Sequence, residues 1–295
     1  MMWGTIIAWY LFLAGLSAGA FIASLYVERV YPEKTRFLFV SRIVALIALA
    51  IGLVVLIADA EGALHNPVSL FFLLGNLSSS VMSWGVVFLF VLGIVEFLFV
   101  VFEFMRKKDN GYTRFFKKSH GVLSVIGLIF AILTAGYTGV LIGVVKTVPL
   151  WNNALLPVLF LVSALSSGIA AAIFFTGVTK PSEVDGILKL TKIHASLVAT
   201  ELVLLALMFI IVSSGNPAGA ESVAMLLSGS LAPLFWIVLV LLGLSIPLIF
   251  ELLEITGKVH NVYAAIVMEL LVVIGAFCLR YLIIEAAVPL NFLGF

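Results

Sequence analysis

The chain has 295 residues, 63% of them hydrophobic and 11% charged, with a net charge of +1. This balance excludes a water-soluble domain with an ordinary polar surface. The near-neutral charge identifies no partner, and nucleic acid is not among those expected. Cysteine occurs once, at Cys278, which excludes a disulfide framework, a thiolate zinc site and a cysteine-ligated iron–sulfur motif.

Apolar runs of span length recur along the chain, and the period-two alternation of a membrane β-barrel is absent. Eight helical spans are predicted, at 3–27, 37–58, 82–105, 121–145, 154–178, 190–212, 231–254 and 261–288. Each exceeds the roughly 20 residues needed to cross the hydrocarbon. The fold class is therefore an all-α polytopic membrane protein.

The first span begins without any Lys or Arg, so Ala18-Gly19-Ala20 makes a poor signal-peptidase site and the segment is expected to remain in place. It carries Tyr10 near its start and the small-residue pair Gly15 and Gly19, which favours close helix packing. The connection to span two brings Arg29, Lys34, Arg36 and Arg42. Span two ends on Asp59, with His65 six residues later in a long connection. That connection also contains Leu70-Phe71-Phe72-Leu73-Leu74, which suits a short interfacial helix.

Span three opens with Ser83 and Trp84 and contains Glu96. A basic stretch from Arg106 to Lys118 precedes span four, which carries Tyr137 and the small pair Gly139 and Gly143. Span five carries Ser163 and Ser167, span six Glu201, and span eight Glu269 and Arg280. Between spans six and seven, residues 213–230 read as an outward loop opened by Gly215-Asn216-Pro217.

Fourteen of the sixteen basic residues fall on one side of this layout, leaving Lys146 and Arg280 toward the other. The positive-inside rule makes the basic side cytoplasmic. Both termini are then expected outside, in the periplasm of a bacterial or archaeal inner membrane.

The sequence also matches itself at a fixed offset. Lys118-Ser119-His120 recurs as Lys258-Val259-His260, and Val148-Pro149-Leu150 as Val288-Pro289-Leu290. Leu11-Phe12-Leu13 before Leu16-Ser17-Ala18-Gly19 resembles Leu159-Phe160-Leu161 before Leu165-Ser166-Ser167-Gly168. Corresponding spans cross in the same direction, the pattern of two parallel four-helix units, 1–150 and 151–295. At the same offset Tyr137 falls opposite Phe277, so the first copy carries a phenol that the second lacks.

Ionisable side chains in a membrane are costly and thus functional candidates. Tyr137 lies about 15 Å in from the outward end of its span at helical rise. Tyr10, Asp59, His65 and Ser83 fall at a comparable outward level. A phenol, an imidazole and a carboxylate at one depth suit a quinone head group, whose oxygens need donors and whose quinol needs a proton acceptor. Interfacial aromatic placement and helix termination account for the same residues equally well.

Glu96, Glu201 and Glu269 suit a proton relay, pairing with Arg280, or protonated structural groups. His120, His194 and His260 all fall at cytoplasmic helix starts, where interfacial capping is expected. No haem is expected, since no histidine falls in mid-span.

The run Gly136-Tyr137-Thr138-Gly139-Val140-Leu141, through Lys146-Thr147-Val148-Pro149-Leu150-Trp151-Asn152, into Leu155-Leu156-Pro157 and on to Ser166-Ser167-Gly168, resembles the NrfD/PsrC family. That family comprises the integral membrane subunits of polysulfide-reductase-type complexes. Tyr10 to Gly19 and Ser80-Val81-Met82-Ser83-Trp84-Gly85 resemble it as well. The likeness implies a membrane anchor of a respiratory oxidoreductase complex with a menaquinone or ubiquinone site near the periplasmic face. It also implies a four-cluster iron–sulfur partner and a molybdopterin catalytic subunit. Tyr137 matches the family tyrosine implicated in quinone binding.

The sequence departs from the family at Tyr10, where a His is expected, at Ile6 and Ile7 in the neighbourhood of an Asn, and at Asp59-Ala60-Glu61-Gly62, where the family has Asp-Leu-Gly-Arg-Pro. Two other readings stand beside the quinone one. A secondary transporter built on parallel repeats would suit the buried acids, although no paired Gly/Pro-broken helices support it. A structural anchor with a decayed quinone site would suit the altered Asp59 region.

Overall fold

A computed structural model describes residues 4–59, 81–105 and 111–290. Lipid offers no hydrogen bonds, so a sequence this apolar satisfies its backbone within helices. The helices are α1 (Thr5–Val30), α2 (Thr35–Asp59), α3 (Val81–Met105), α4 (Gly111–Gly143), α5 (Leu155–Thr179), α6 (Leu188–Gly215), the short α7 (Pro217–Leu227), α8 (Leu234–Ile255) and α9 (Val262–Glu285). All but α7 are long and apolar enough to cross a membrane. The protein is a multi-pass integral membrane protein.

The predicted spans match these helices with two differences. Helix α4 begins ten residues earlier than the apolar run, carrying Arg114, Lys117 and Lys118 on an extra polar turn and more. The segment read as a loop at 213–230 contains α7. Asn216 caps it by accepting a hydrogen bond from the Gly219 amide at 2.8 Å, and Pro217 occupies the first turn. Asn followed by Pro is a helix-start signal; the Gly and Ser around it suggested a turn instead. The interfacial helix expected around Leu70 lies outside the described residues.

Helices α1 and α5 form the centre of the bundle. About 72% and 67% of their most apolar windows are buried, against 28% for α8. Helix α1 packs on α2, α4, α5 and α9, and α5 packs on α2, α4, α6 and α9. Small residues allow this. A Cβ on Gly19 would strike the backbone carbonyl of Ala164, and one on Gly168 would strike the backbone of Gly19 and Ala20. Gly243 of α8 and Gly275 of α9 meet in the same way. Outward-facing Val54, Phe90, Phe97 and Ile210 remain exposed, as a lipid-facing surface requires.

Polar ties close both ends. At the basic end, Lys34 Nζ donates to the Ser182 and Asp185 carbonyls at 3.0 and 2.7 Å. Arg42, 1% exposed, bridges Glu28 at 2.7 Å and also pairs with Glu103. At the opposite end, buried Trp151 donates from Nε1 to the Ile283 carbonyl at 2.7 Å, fixing the α4–α5 connection against α9.

Candidate functional site

Three helices build the surroundings of Tyr137. Helix α3 contributes Gly85, whose missing side chain lets the phenol ring lie directly on the helix backbone; a Cβ there would overlap the ring and hydroxyl. Phe88, one turn along α3, meets the ring edge-on at 6.1 Å. Helix α4 supplies Tyr137 itself. Helix α5 contributes Pro157, whose backbone sits against Gly139, so α4 and α5 approach closely at this level. Between them an apolar cavity of about 410 Å³ is lined by Trp84, Phe88, Gly136, Tyr137, Pro157 and Leu161, among others.

The polar chemistry of this site is under-committed. Tyr137, 6% exposed, donates to the Met82 carbonyl at 3.5 Å. That is well beyond the 2.7–2.8 Å typical of a hydroxyl donor. Ser83, next along α3, is fully buried and its Oγ has no hydrogen-bond partner among the described residues. Tyr10, 2% exposed, belongs to the same buried cluster and lies within electrostatic reach of Tyr137. A buried hydroxyl without a partner costs about 1–3 kcal/mol, so these groups are suited to a polar ligand entering from the apolar side.

Three of the five residues expected at this level, Tyr137, Tyr10 and Ser83, therefore share one neighbourhood. Asp59 ends α2, and its side chain and His65 lie outside what is described. The second-copy counterpart Phe277 serves packing: it meets Trp9 at a tilt with ring centres 4.1 Å apart and Phe12 edge-on at 5.6 Å.

The buried acids do not form a single group. Glu96, fully buried, accepts from Ser17 Oγ at 2.8 Å. Glu201 lies near Ser163 and Arg280. Glu269 lies 3.4 Å from His194.

His194 requires a correction. Its position near a helix start suggested interfacial capping, yet it is fully buried, with Nδ1 2.5 Å from Glu251 Oε1 and Nε2 3.2 Å from Ser166 Oγ. Glu251, 3% exposed, was missed because it sits close to the end of an apolar run. Its membership of an intramembrane segment was the available signal. One ligand atom from each of His194, Glu251 and Glu269 lies within 4.8 Å of the others, so the trio has the donor set and spacing to hold either protons or a metal ion. Of the remaining histidines, His120 pairs with Glu28 at 3.2 Å, and His260, 70% exposed, with Asp185 at 3.4 Å.

The model of the family described as polysulphide reductase, NrfD, matches residues 1–290. The protein belongs to the NrfD family. It is 30% identical to one of the polypeptides of polysulfide reductase from Wolinella succinogenes, over 97% of its own length and 94% of that relative. It is also 30% identical to the NrfD homolog of Haemophilus influenzae, with the same coverage. One of the subunits of selenate reductase from Mesobacillus selenatarsenatis is 28% identical, over 99% of the present sequence and 75% of the relative's own length. Two of these relatives are thus named as components of reductases built from several polypeptides, and the family expected from the Tyr137 block is the one found.

Proposed function

We propose that this protein is the quinone-reactive membrane subunit of a respiratory oxidoreductase complex. It exchanges electrons and protons between membrane quinone, menaquinone or ubiquinone, and a docked periplasmic iron–sulfur subunit, with a molybdopterin catalytic subunit beyond it. The basic end faces the cytoplasm, both termini face the periplasm, and residues 1–150 and 151–295 form two parallel four-helix units. The first unit holds the quinone, and the lone phenol opposite Phe277 follows from that division of labour.

The observation carrying this reading is the Tyr137 ring lining an apolar groove of about 410 Å³, with its hydroxyl slackly bonded to Met82 and the orphaned Ser83 Oγ on the next residue of α3. The bound quinone supplies reversible two-electron, two-proton chemistry. The Tyr137 phenol donates to one carbonyl oxygen and orients the head group, while the Trp84 and Phe88 rings exclude water from it. Tyr10 and Ser83 supply further buried hydroxyls for the head group. Asp59 or His65 handles the proton at the head group, and Glu96, Glu201 and Glu269 serve proton movement deeper in the membrane.

The direct test is titration of the purified complex with a fluorescent quinone analogue. Saturable binding is expected for the native protein. Gly85→Ala, whose methyl would displace the Tyr137 ring, is expected to weaken it by roughly tenfold, the loss of about 1.4 kcal/mol. Unchanged affinity in that variant would remove the Tyr137 cavity from the reading. A complex that binds no analogue at all would point to a purely structural anchor.

A further inference from the structure

At the basic end of the bundle an apolar groove of about 670 Å³ runs between α1 and α4. Ile22, Leu25, Tyr26 and Arg29 line it from α1, at the spacing of a single helix face. Gly121, Val125 and Leu128 line it from α4 and are exposed, so the groove opens sideways toward lipid and not into the bundle. Gly121 makes room there, because nothing lies within 4 Å of where its Cβ would stand. Elsewhere in this bundle small residues let helix backbones touch, as Gly19 and Gly168 do. Here the space stays open. An unfilled apolar gap forfeits dispersion contacts along its walls, so a component of the bilayer is expected to occupy it.

The mouth of the groove carries uncompensated positive charge. Arg29 lines it, and Lys117 precedes Gly121 by one turn on the same face of α4. Lys118 lines an adjoining hollow that shares Gly121 and Val125 with the first. All three are exposed, and none has an ion-pair partner among the described residues. The acids nearby are already engaged: Glu28, at the groove's edge, is bridged by Arg42 at 2.7 Å and by His120 at 3.2 Å, and Glu103 shares the same arginine. Arg29 stands seven residues from Ile22, so the groove runs roughly 10 Å inward at helical rise. Cationic mouth and apolar floor thus succeed one another along the membrane normal, as phosphate and acyl chain do in a phospholipid. Arginine and lysine make strong, charge-assisted hydrogen bonds to phosphate, and basic pockets between membrane helices suit anionic head groups. A neutral head group, a quinone among them, would leave Arg29 and Lys117 without a counter-charge.

We propose that this groove is a binding site for one anionic phospholipid from the leaflet at the basic end. Arg29 and Lys117 hold its phosphate, and the Tyr26 hydroxyl, which has no partner among the described residues, donates to the phosphate or to the ester beside it. One acyl chain lies along Ile22, Leu25, Val125 and Leu128, over the space that Gly121 leaves. The bound lipid ties α1 to α4 and covers the Glu28–His120 pair. The groove shares no lining residue with the Tyr137 cavity, and the site does not rest on the quinone reading.

The test is native mass spectrometry of the whole protein, stripped of lipid in mild detergent and titrated with phosphatidylglycerol or phosphatidylcholine. One phosphatidylglycerol is expected to bind at least tenfold more tightly than phosphatidylcholine and to raise the midpoint of thermal unfolding. Arg29→Gln combined with Lys117→Gln is expected to erase that preference. Lys189→Gln removes an exposed charge that does not line the groove and is expected to keep it. Gly121→Leu is expected to block binding by filling the groove; Val125→Trp fills it from the exposed rim should Gly121→Leu fail to assemble. Equal affinity for the two lipids, an equal loss in Lys189→Gln, or unaltered binding in the groove-filling variants overturns the proposal. Displacement of the bound phosphatidylglycerol by an equimolar quinone analogue overturns it as well, since the groove would then take a neutral carrier. Tyr137→Phe is expected to change none of these values, so failure of the quinone site and failure of the lipid site give different results.

Discussion

Tyr137→Phe is expected to leave the complex assembled and to lower quinol-dependent turnover, expressed as kcat/KM, by roughly ten- to a hundredfold. Assembly survives because the hydroxyl makes only the long 3.5 Å contact to the Met82 carbonyl among the described residues, while the ring keeps its edge contact with Phe88 and its seat on Gly85. Catalysis suffers because a phenol in an apolar cavity donates to a carbonyl that has no other solvent to turn to. Leaving that oxygen unpaired costs about 1–3 kcal/mol, and each 1.4 kcal/mol or so is a factor of ten. Turnover by the variant complex, set against its content of bound iron–sulfur partner, is the measurement. Full activity would remove Tyr137 from the mechanism and favour a structural anchor with a decayed site. Solute uptake into vesicles lacking any redox partner, unaffected by the substitution, would favour a transporter.

The eight spans were legible because lipid imposes one rule along the whole sequence: about twenty apolar residues per crossing, with basic residues gathered between alternate pairs. That some helices pack closely was legible too, since Gly15, Gly19 and the serines of span five stand at small-residue spacing; that α1 and α5 are the pair that meet was not. Tyr137 stood out as a hydroxyl present in one copy and missing from the other. Less visible was what Gly85 does, because a glycine in a helix carries no sign of which neighbour needs its space. The same holds for His194: position along a helix gives depth but not rotation, and it was rotation toward α8 and α9 that set the imidazole between two carboxylates. Glu251 escaped notice for the converse reason, being near enough to a span end to pass as a solvated residue. Sequence thus located polar groups along the membrane normal and left their lateral grouping to tertiary packing.

Gly19→Val is expected to abolish assembly of the folded subunit. The glycine Cα faces the α5 backbone, where a Cβ would overlap the Ala164 carbonyl and lie 3.0 Å from the Gly168 Cα. No side chain is present at that contact to swing aside, so the helices themselves must part. Overpacking of a rigid core costs about 3 kcal/mol at the upper end of its usual range, and in lipid no hydrophobic force between helices offsets the lost packing. Because α1 and α5 each touch four other helices, the displacement propagates to both halves of the bundle. Gly15→Ala is expected to be milder, since its methyl would stand 3.1 Å from the Ala164 side chain and 3.2 Å from the end of Arg280, groups able to yield slightly. Gly136→Ala serves as the control: nothing lies within 4 Å of its Cβ, and alanine's better helix propensity makes it neutral or stabilising by up to about 1 kcal/mol. The midpoint of thermal unfolding in mild detergent, with the yield of assembled complex, ranks the three. Normal assembly of Gly19→Val would mean that α1 and α5 stand further apart in the bilayer, and the backbone crossing of Gly19 on Ala164 and Gly168 would not hold the bundle's centre.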